Sequence, residues 1–183
     1  MRSLTFALVF ALAGLLLLPA TATAATTTSY QFHLEHPNVS ADSHGDHVAV
    51  TGSGTFGENP KSVNGGGHFT HTMAGGVAIS GTWTANDLLE FQLYGCGTVV
   101  VNGQPVALPP NFCGGALKMA VTLTATVNGQ TLTRDGILTV FCIIGANPPN
   151  SHDDPSGEGI TLVVPGITNF NSIVSGMNVF IKQ

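Results

Sequence analysis

Histidine is the residue type whose spacing in this sequence points most directly to chemistry. Six of the seven histidines form three pairs of equal spacing, namely His33 with His36, His44 with His47, and His68 with His71. Neutral imidazole is a common ligand of zinc and copper, and segment 42–47 adds two carboxylates in a short polar loop. If the protein holds zinc or copper, we expect His44 and His47 to bind it, with His33 and His36 as further ligands.

The alternative is that these histidines are polar surface residues of a chain with few charges. Residues three apart on a β-strand point to opposite faces, so His33 and His36 chelate one ion only if the strand ends between them. The same holds for His68 and His71. We take the surface interpretation as the main one, and calorimetric titration with zinc and copper distinguishes the two.

A second polar cluster lies in segment 147–158. Its ionisable side chains are His152, Asp153, Asp154 and Glu158. The segment lacks the ligand spacing of an EF-hand and contains three prolines. Proline and polar residues together are typical of an exposed turn, so we predict a loop here rather than a calcium site.

The sequence offers no catalytic motif. It contains no G-x-S-x-G, no H-E-x-x-H and no Walker loop. Cys142 would need an exposed, activated thiolate to act as a nucleophile, but it lies in the apolar run 137–144. We therefore predict no catalytic residue.

The N-terminus has the features of a signal peptide. Arg2 precedes an apolar stretch over residues 4–18, and small residues follow up to Ala24. The stretch is shorter than the roughly 20 residues that span a bilayer. We predict cleavage after Ala24, with cleavage after Ala22 as the alternative. Cleavage after Ala24 leaves residues 25–183 as a single secreted or periplasmic domain with no membrane span.

Export to an oxidising compartment would permit a disulfide between two of the three cysteines. Cys96 and Cys113 flank a proline-containing loop, whereas Cys142 lies in an apolar run. We predict a disulfide between Cys96 and Cys113, with Cys142 as a buried free thiol.

Charged residues are only 8% of the chain, with five lysines and arginines, so nucleic acid is excluded as a partner on electrostatic grounds.

The sequence pattern predicts that these side chains are carried by β-strands. Apolar residues alternate with polar ones over 48–56, 77–84 and 119–127. Asn128-Gly129 and Asn102-Gly103 predict hairpins, and Asp135-Gly136 predicts another turn. We predict an all-β fold, an antiparallel meander barrel closed by its first and last strands, with a two-sheet sandwich as the alternative.

A Gly-x-aromatic repeat occurs at 54–56, 67–69 and 81–83. In a meander it places an aromatic and a small residue at equal heights on neighbouring strands. The pattern over 52–94, with 158–160 and 170–176, resembles small secreted bacterial single-domain proteins of unassigned function. The resemblance implies a secreted bacterial domain and no particular activity.

These observations favour a non-enzymatic binding domain, which takes either a small apolar ligand inside a barrel or a partner on its surface. Trp83, Phe56, Phe69 and Phe91 are expected in the core, and a barrel lined by such residues can hold an apolar ligand. The alternatives are a histidine-dependent metal-binding protein and a barrel enzyme of the isomerase or cyclase kind, with polar catalytic groups at the barrel mouth.

Overall fold

The computed structural model describes residues 27–146, 148–149 and 157–183. The predicted signal peptide, residues 1–24, lies outside the described residues, as do His152, Asp153 and Asp154. Among the described residues there is no helix long and apolar enough to cross a membrane.

The described part of the chain contains strands and no helix. The strands are β1 (Ser29–Ala41), β2 (His47–Glu58), β3 (Lys61–Thr72), β4 (Ala78–Cys96), β5 (Thr98–Val101), β6 (Gln104–Ala107), β7 (Phe112–Val127), β8 (Gln130–Cys142), β9 (Gly159–Val164), β10 (Thr168–Phe170), β11 (Ser172–Ser175) and β12 (Asn178–Lys182). The all-β prediction is confirmed.

Ten of these strands form one large antiparallel sheet, and β5 and β6 form a separate hairpin. The order in the large sheet is β10-β9-β8-β7-β12-β1-β2-β3-β4; β4 also pairs with β7, and β11 pairs with β1. The first and last strands pair as expected, with Phe32 opposite Phe180. Because this contact joins residues far apart in the chain, it brings the two ends of the fold together.

Two of the three predicted turns are confirmed. Asn102-Gly103 joins β5 to β6 and Asn128-Gly129 joins β7 to β8, with positive φ at all four residues, as a type I′ hairpin turn requires. The prediction of a turn at Asp135-Gly136 is wrong, because both residues lie within β8 and pair with β7. Gly136 is buried there, and a Cβ added to it would lie only 3.2 Å from the Val163 carbonyl oxygen on β9.

Aromatic rings on the inner face of the sheet lie over glycines of neighbouring strands. Phe69 is opposite Gly81, and Trp83 is opposite Gly67, as predicted for these two copies of the repeat, whereas Phe56 of the copy on β2 is opposite Val63. A Cβ at Gly81 would approach the Phe69 ring to 2.8 Å. The absence of a side chain at Gly81 therefore leaves the space into which the Phe69 ring packs.

The centre of the core is a cluster of stacked and edge-on rings. Tyr30 and Phe56 stack with centroids 4.9 Å apart, and Phe91 meets Phe56 edge-on at 4.7 Å. Phe180 contacts both Phe56 and Phe91. The indole N–H of Trp83 donates to the Thr51 carbonyl at 2.9 Å, so its polar atom is satisfied. The interior at this level is filled by side chains.

The predicted disulfide between Cys96 and Cys113 is present, and it joins facing residues of β4 and β7. Cys142 is a buried free thiol at the end of β8, as predicted. Its Sγ donates to the Asn178 carbonyl at 3.0 Å. Burial, followed by the nearby Glu158 carboxylate, raises the pKa of Cys142 to about 12, so the thiolate is suppressed at neutral pH.

We expect Cys142 to be unreactive toward a thiol-specific reagent in the folded protein and to react with one equivalent after unfolding. The reason is that neither access nor thiolate is available in the native state. Mass spectrometry of alkylated protein, with and without denaturant, measures this. Rapid labelling of Cys142 without denaturant would contradict the burial described above.

Candidate functional site: an apolar cavity

A cavity of about 270 Å³ opens at one end of the large sheet. We call it the apolar cavity. Its lining residues are Val48, Phe69, His71, Met73, Ile79, Leu123, Ala125, Val127, Leu132, Arg134, Leu162, Val164, Ile167, Thr168 and Phe170. Only three of them, His71, Arg134 and Thr168, carry a polar group in the side chain. Leu132, Arg134 and Ile167 are also exposed, so the cavity opens to solvent on their side.

Period-two alternation explains why these side chains meet. On β7, Leu123, Ala125 and Val127 share the inward face, while Thr124 and Thr126 point outward. Ala125 is the smallest side chain in the lining, and it lies between two larger residues on its own strand. Strands β8, β9 and β10 continue the sheet past β7 and form the opposite wall.

The turn between β1 and β2 is fixed to β10 by one carboxylate. Asp42 accepts hydrogen bonds from the Thr168 hydroxyl at 2.7 Å and from the backbone N–H groups of His44 at 2.8 Å and Asp46 at 3.0 Å. The hydrogen bond from Thr168 is the main reason that the pKa of Asp42 lies well below its usual range. Asp42 therefore links the turn between β1 and β2 to Thr168 of the cavity wall, two segments that are not paired as strands.

A second carboxylate joins the same turn to β3. Oδ2 of Asp46 lies 2.9 Å from Nε2 of His71, and Oδ1 accepts the backbone N–H of Ala74 at 2.9 Å. The Ala74 N–H and the His71 ring lower the pKa of Asp46. The His71 ring also meets Phe170 edge-on, with centroids 5.2 Å apart. The Asp46 carboxylate and the Phe170 ring together therefore fix the position of the His71 ring in the cavity wall.

The hydrogen bonds to Asp42 predict an acid-sensitive contribution to stability. Because the folded-state pKa of Asp42 lies below the ordinary value of 3.8, the contribution is complete above that pH and is lost as the pH falls below it. We expect Asp42→Asn to lower the unfolding temperature at neutral pH, and the difference from wild type to shrink in acid. Thermal unfolding at several pH values measures this.

Asp87→Asn is the matched control, because it removes one negative charge from an exposed position on β4. It should leave the unfolding temperature close to that of wild type at neutral pH. A difference between Asp42→Asn and wild type that stays constant from neutral to acid pH would contradict the role assigned to this carboxylate.

The structure separates most of the histidines considered as metal ligands. His33 lies on the outer face of β1, and His36 is exposed at a bulge in the same strand. His44 is exposed in the turn, with Nδ1 3.4 Å from Asp42 Oδ2, and His47 is exposed at the start of β2. No three His, Cys, Asp or Glu side chains in the described residues are grouped so as to hold a metal ion. Zinc or copper binding stays a prediction.

The expectation for the third pair agrees with the strand geometry. His68 is exposed on the outer face of β3, whereas His71 faces the apolar cavity. The two rings cannot bind one ion from opposite faces of the sheet. Asp42 and Asp46, considered in the sequence as part of a metal-binding loop, instead accept hydrogen bonds from their surroundings.

A second cavity, of about 370 Å³, lies at the other end of the sheet. Its lining residues are Glu35, Val99, Leu108, Phe112, Ile144, Glu158, Met177, Asn178 and Val179. Glu158 accepts the Asn178 backbone N–H at 2.7 Å, and it follows closely on residues outside the described part of the chain. Oδ1 of Asn178 is buried without a hydrogen-bond partner among the described residues. This second cavity is larger than the apolar cavity, but its lining includes the carboxylates of Glu35 and Glu158.

No pattern in the sequence marks Arg134, Thr168 and His71 as neighbours. They lie on β8, β10 and β3, and only strand pairing over long sequence distances brings them together. Comparison with protein-family models, curated proteins and solved structures gives no significant match.

Proposed function

We propose that this protein is a non-enzymatic binding domain that holds a small apolar molecule in the apolar cavity. The observation that carries the proposal is the lining, in which twelve of fifteen side chains are hydrocarbon or thioether groups. Water in such a space makes few hydrogen bonds, so an apolar molecule that replaces it gains the free energy of burial.

The cavity size limits the ligand. An apolar cavity of about 150 Å³ accommodates benzene, and drug-sized pockets begin near about 300 Å³. If the number of non-hydrogen atoms scales with cavity volume from benzene upward, 270 Å³ suits a molecule of roughly eleven non-hydrogen atoms. This favours a short aliphatic chain or a single substituted ring over a long-chain lipid.

We also propose that the large sheet closes into a barrel whose mouth is the cavity. The support is the pairing of β7 on both of its edges. One edge of β7 pairs with β4, and the start of its other edge pairs with β12, which in turn pairs with β1. The pairing path β12-β1-β2-β3-β4-β7 then returns to its origin, which leaves no free edge along it. A two-sheet sandwich is the alternative.

The backbone N–H of Lys182 donates to the Asn111 carbonyl at 2.9 Å, beside the pairing of β12 with β7. We expect this amide to exchange slowly with deuterium, as in a paired strand. Exchange measured by NMR tests the closure. Rapid exchange at Lys182 would favour an open sheet.

Calorimetric titration with 1-octanol tests the binding function. Burial of seven or eight methylene groups at about 0.8 kcal/mol each predicts one site with a Kd on the order of tens of micromolar. Absence of heat and of any rise in unfolding temperature at millimolar octanol would overturn the proposal. Conversion of an added ligand to a product would favour the isomerase or cyclase alternative.

A further inference from the structure

We infer that the ligand of the apolar cavity is an amphipathic monocarboxylate, a free fatty acid of medium chain length, whose carboxylate binds Arg134. This inference rests on the proposed function and names the class of molecule that the same cavity takes. It is carried by the placement of one unpaired cation at the mouth of an otherwise apolar space.

Among the described residues that line the cavity, Arg134 is the single charged one. Its Nη1 donates to the Thr133 carbonyl at 2.8 Å, which occupies one of the five N–H donors of the guanidinium. The ion-pair contacts in the described residues join His44 to Asp42 and His71 to Asp46, and neither involves Arg134. Most of its donors are therefore available to a ligand.

The carboxylate next to Arg134 in the chain, that of Asp135, points away from the cavity. Asp135 follows Arg134 on β8, so its side chain points to the other face, where it accepts a hydrogen bond from the Thr122 hydroxyl at 3.4 Å. A guanidinium with free donors at the edge of a low-dielectric space binds a carboxylate well, because its planar N–H groups can hold both oxygens.

The other polar groups of the lining disfavour an anion. The Thr168 hydroxyl donates to Asp42, and the His71 ring contacts Asp46, so two carboxylates lie behind that part of the wall. Their negative charge would repel the head group. The charge distribution therefore orients the ligand, with its carboxylate at Arg134 and its chain against the buried Phe69, Leu123 and Leu162.

The chain length follows from the volume. Octanoate has ten non-hydrogen atoms, which matches the roughly eleven that 270 Å³ accommodates, whereas palmitate has too many. The exposed Leu132 and Ile167 beside Arg134 give the chain an apolar path into the cavity. A shorter acid would fit as well but would bury less hydrocarbon and bind more weakly.

Calorimetric titration at neutral pH with octanoate, 1-octanol and palmitate tests this inference in wild type, Arg134→Gln and Lys182→Gln. We expect octanoate to bind more tightly than octanol or palmitate to wild type. Arg134→Gln should weaken octanoate about fivefold to tenfold and change octanol less than about twofold. Lys182→Gln removes one charge from an exposed strand end outside the lining of the cavity, and it should leave both affinities unchanged.

The outcomes separate the two proposals. If octanol binds but octanoate binds no better, or if Arg134→Gln weakens both equally, the acid specificity is wrong and the binding function stands. If neither ligand binds, both proposals fail. Arg134 is exposed, so the variant should fold, and an unfolding temperature close to that of wild type verifies this.

Discussion

Replacing Ala125 by phenylalanine is expected to raise the Kd for octanol or octanoate about 100-fold. Ala125 lies in the wall of the apolar cavity between Leu123 and Val127, and its side chain leaves the central space open. A phenylalanine ring there would occupy the volume of several methylene groups of the ligand. Loss of about four of them costs roughly 3 kcal/mol of binding free energy.

Thr126→Phe is the matched control, because it introduces the same ring on the adjacent, outward-facing position of β7. It should leave the Kd within about twofold of wild type, since rings on an exposed face do not enter the cavity. Calorimetric titration of both variants gives the comparison. Equal affinity in wild type and Ala125→Phe would show that the ligand binds elsewhere.

Replacing Gly67 by alanine is expected to lower the free energy of unfolding by about 3 kcal/mol, which corresponds to roughly 6–12 °C in unfolding temperature. A Cβ at this position would overlap the Thr51 carbonyl oxygen and lie 2.6 Å from the Gly52 Cα on β2. Both are backbone atoms, so rotation of a side chain cannot relieve the overlap. Strands β2 and β3 would have to move apart.

Gly75→Ala provides the control for this substitution. Gly75 lies in the turn between β3 and β4, and a Cβ added there would have no atom within 4 Å. Its expected effect is within about 0.5 kcal/mol of zero. Urea unfolding of the two variants measures both values. A Gly67→Ala variant as stable as Gly75→Ala would mean that the strands are not as close as described.

The strands and hairpins were predictable because their causes are local. Alternation of apolar and polar residues assigned the inward face of β7, and the Asn-Gly pairs fixed two turns by their tolerance of positive φ. Asp135-Gly136 has nearly the same local chemistry but lies within β8, because pairing of both residues with β7 outweighs the turn preference.

The candidate site was not predictable in the same way. Its lining comes from residues between Val48 and Phe170, and their neighbours are set by strand order and register. The sequence drew attention to Asp42 and Asp46 as partners of metal-binding histidines, whereas both carboxylates hold turns in place. Arg134 gave no signal, because an isolated cation on an alternating strand is typical of a solvent-exposed position.

The packing of the Gly-x-aromatic repeat was predictable from the sequence only in part. The sequence indicated that aromatic and small residues would lie at equal heights, and the register of β3 with β4 agrees. It did not indicate that Phe32 covers two glycines of other strands, where a Cβ at Gly54 or Gly65 would lie within 2.7 Å of its ring. That contact depends on the twist of neighbouring strands, which the pattern alone does not specify.

An NMR experiment that detects contacts between bound octanoate and the methyl groups of the protein locates the ligand. We expect contacts from the octanoate chain to Leu123, Leu162 and Val164, which line the apolar cavity. Contacts confined to Val99 and Leu108, which line the second cavity, would contradict it. So would the absence of any contact at octanoate concentrations well above the expected Kd.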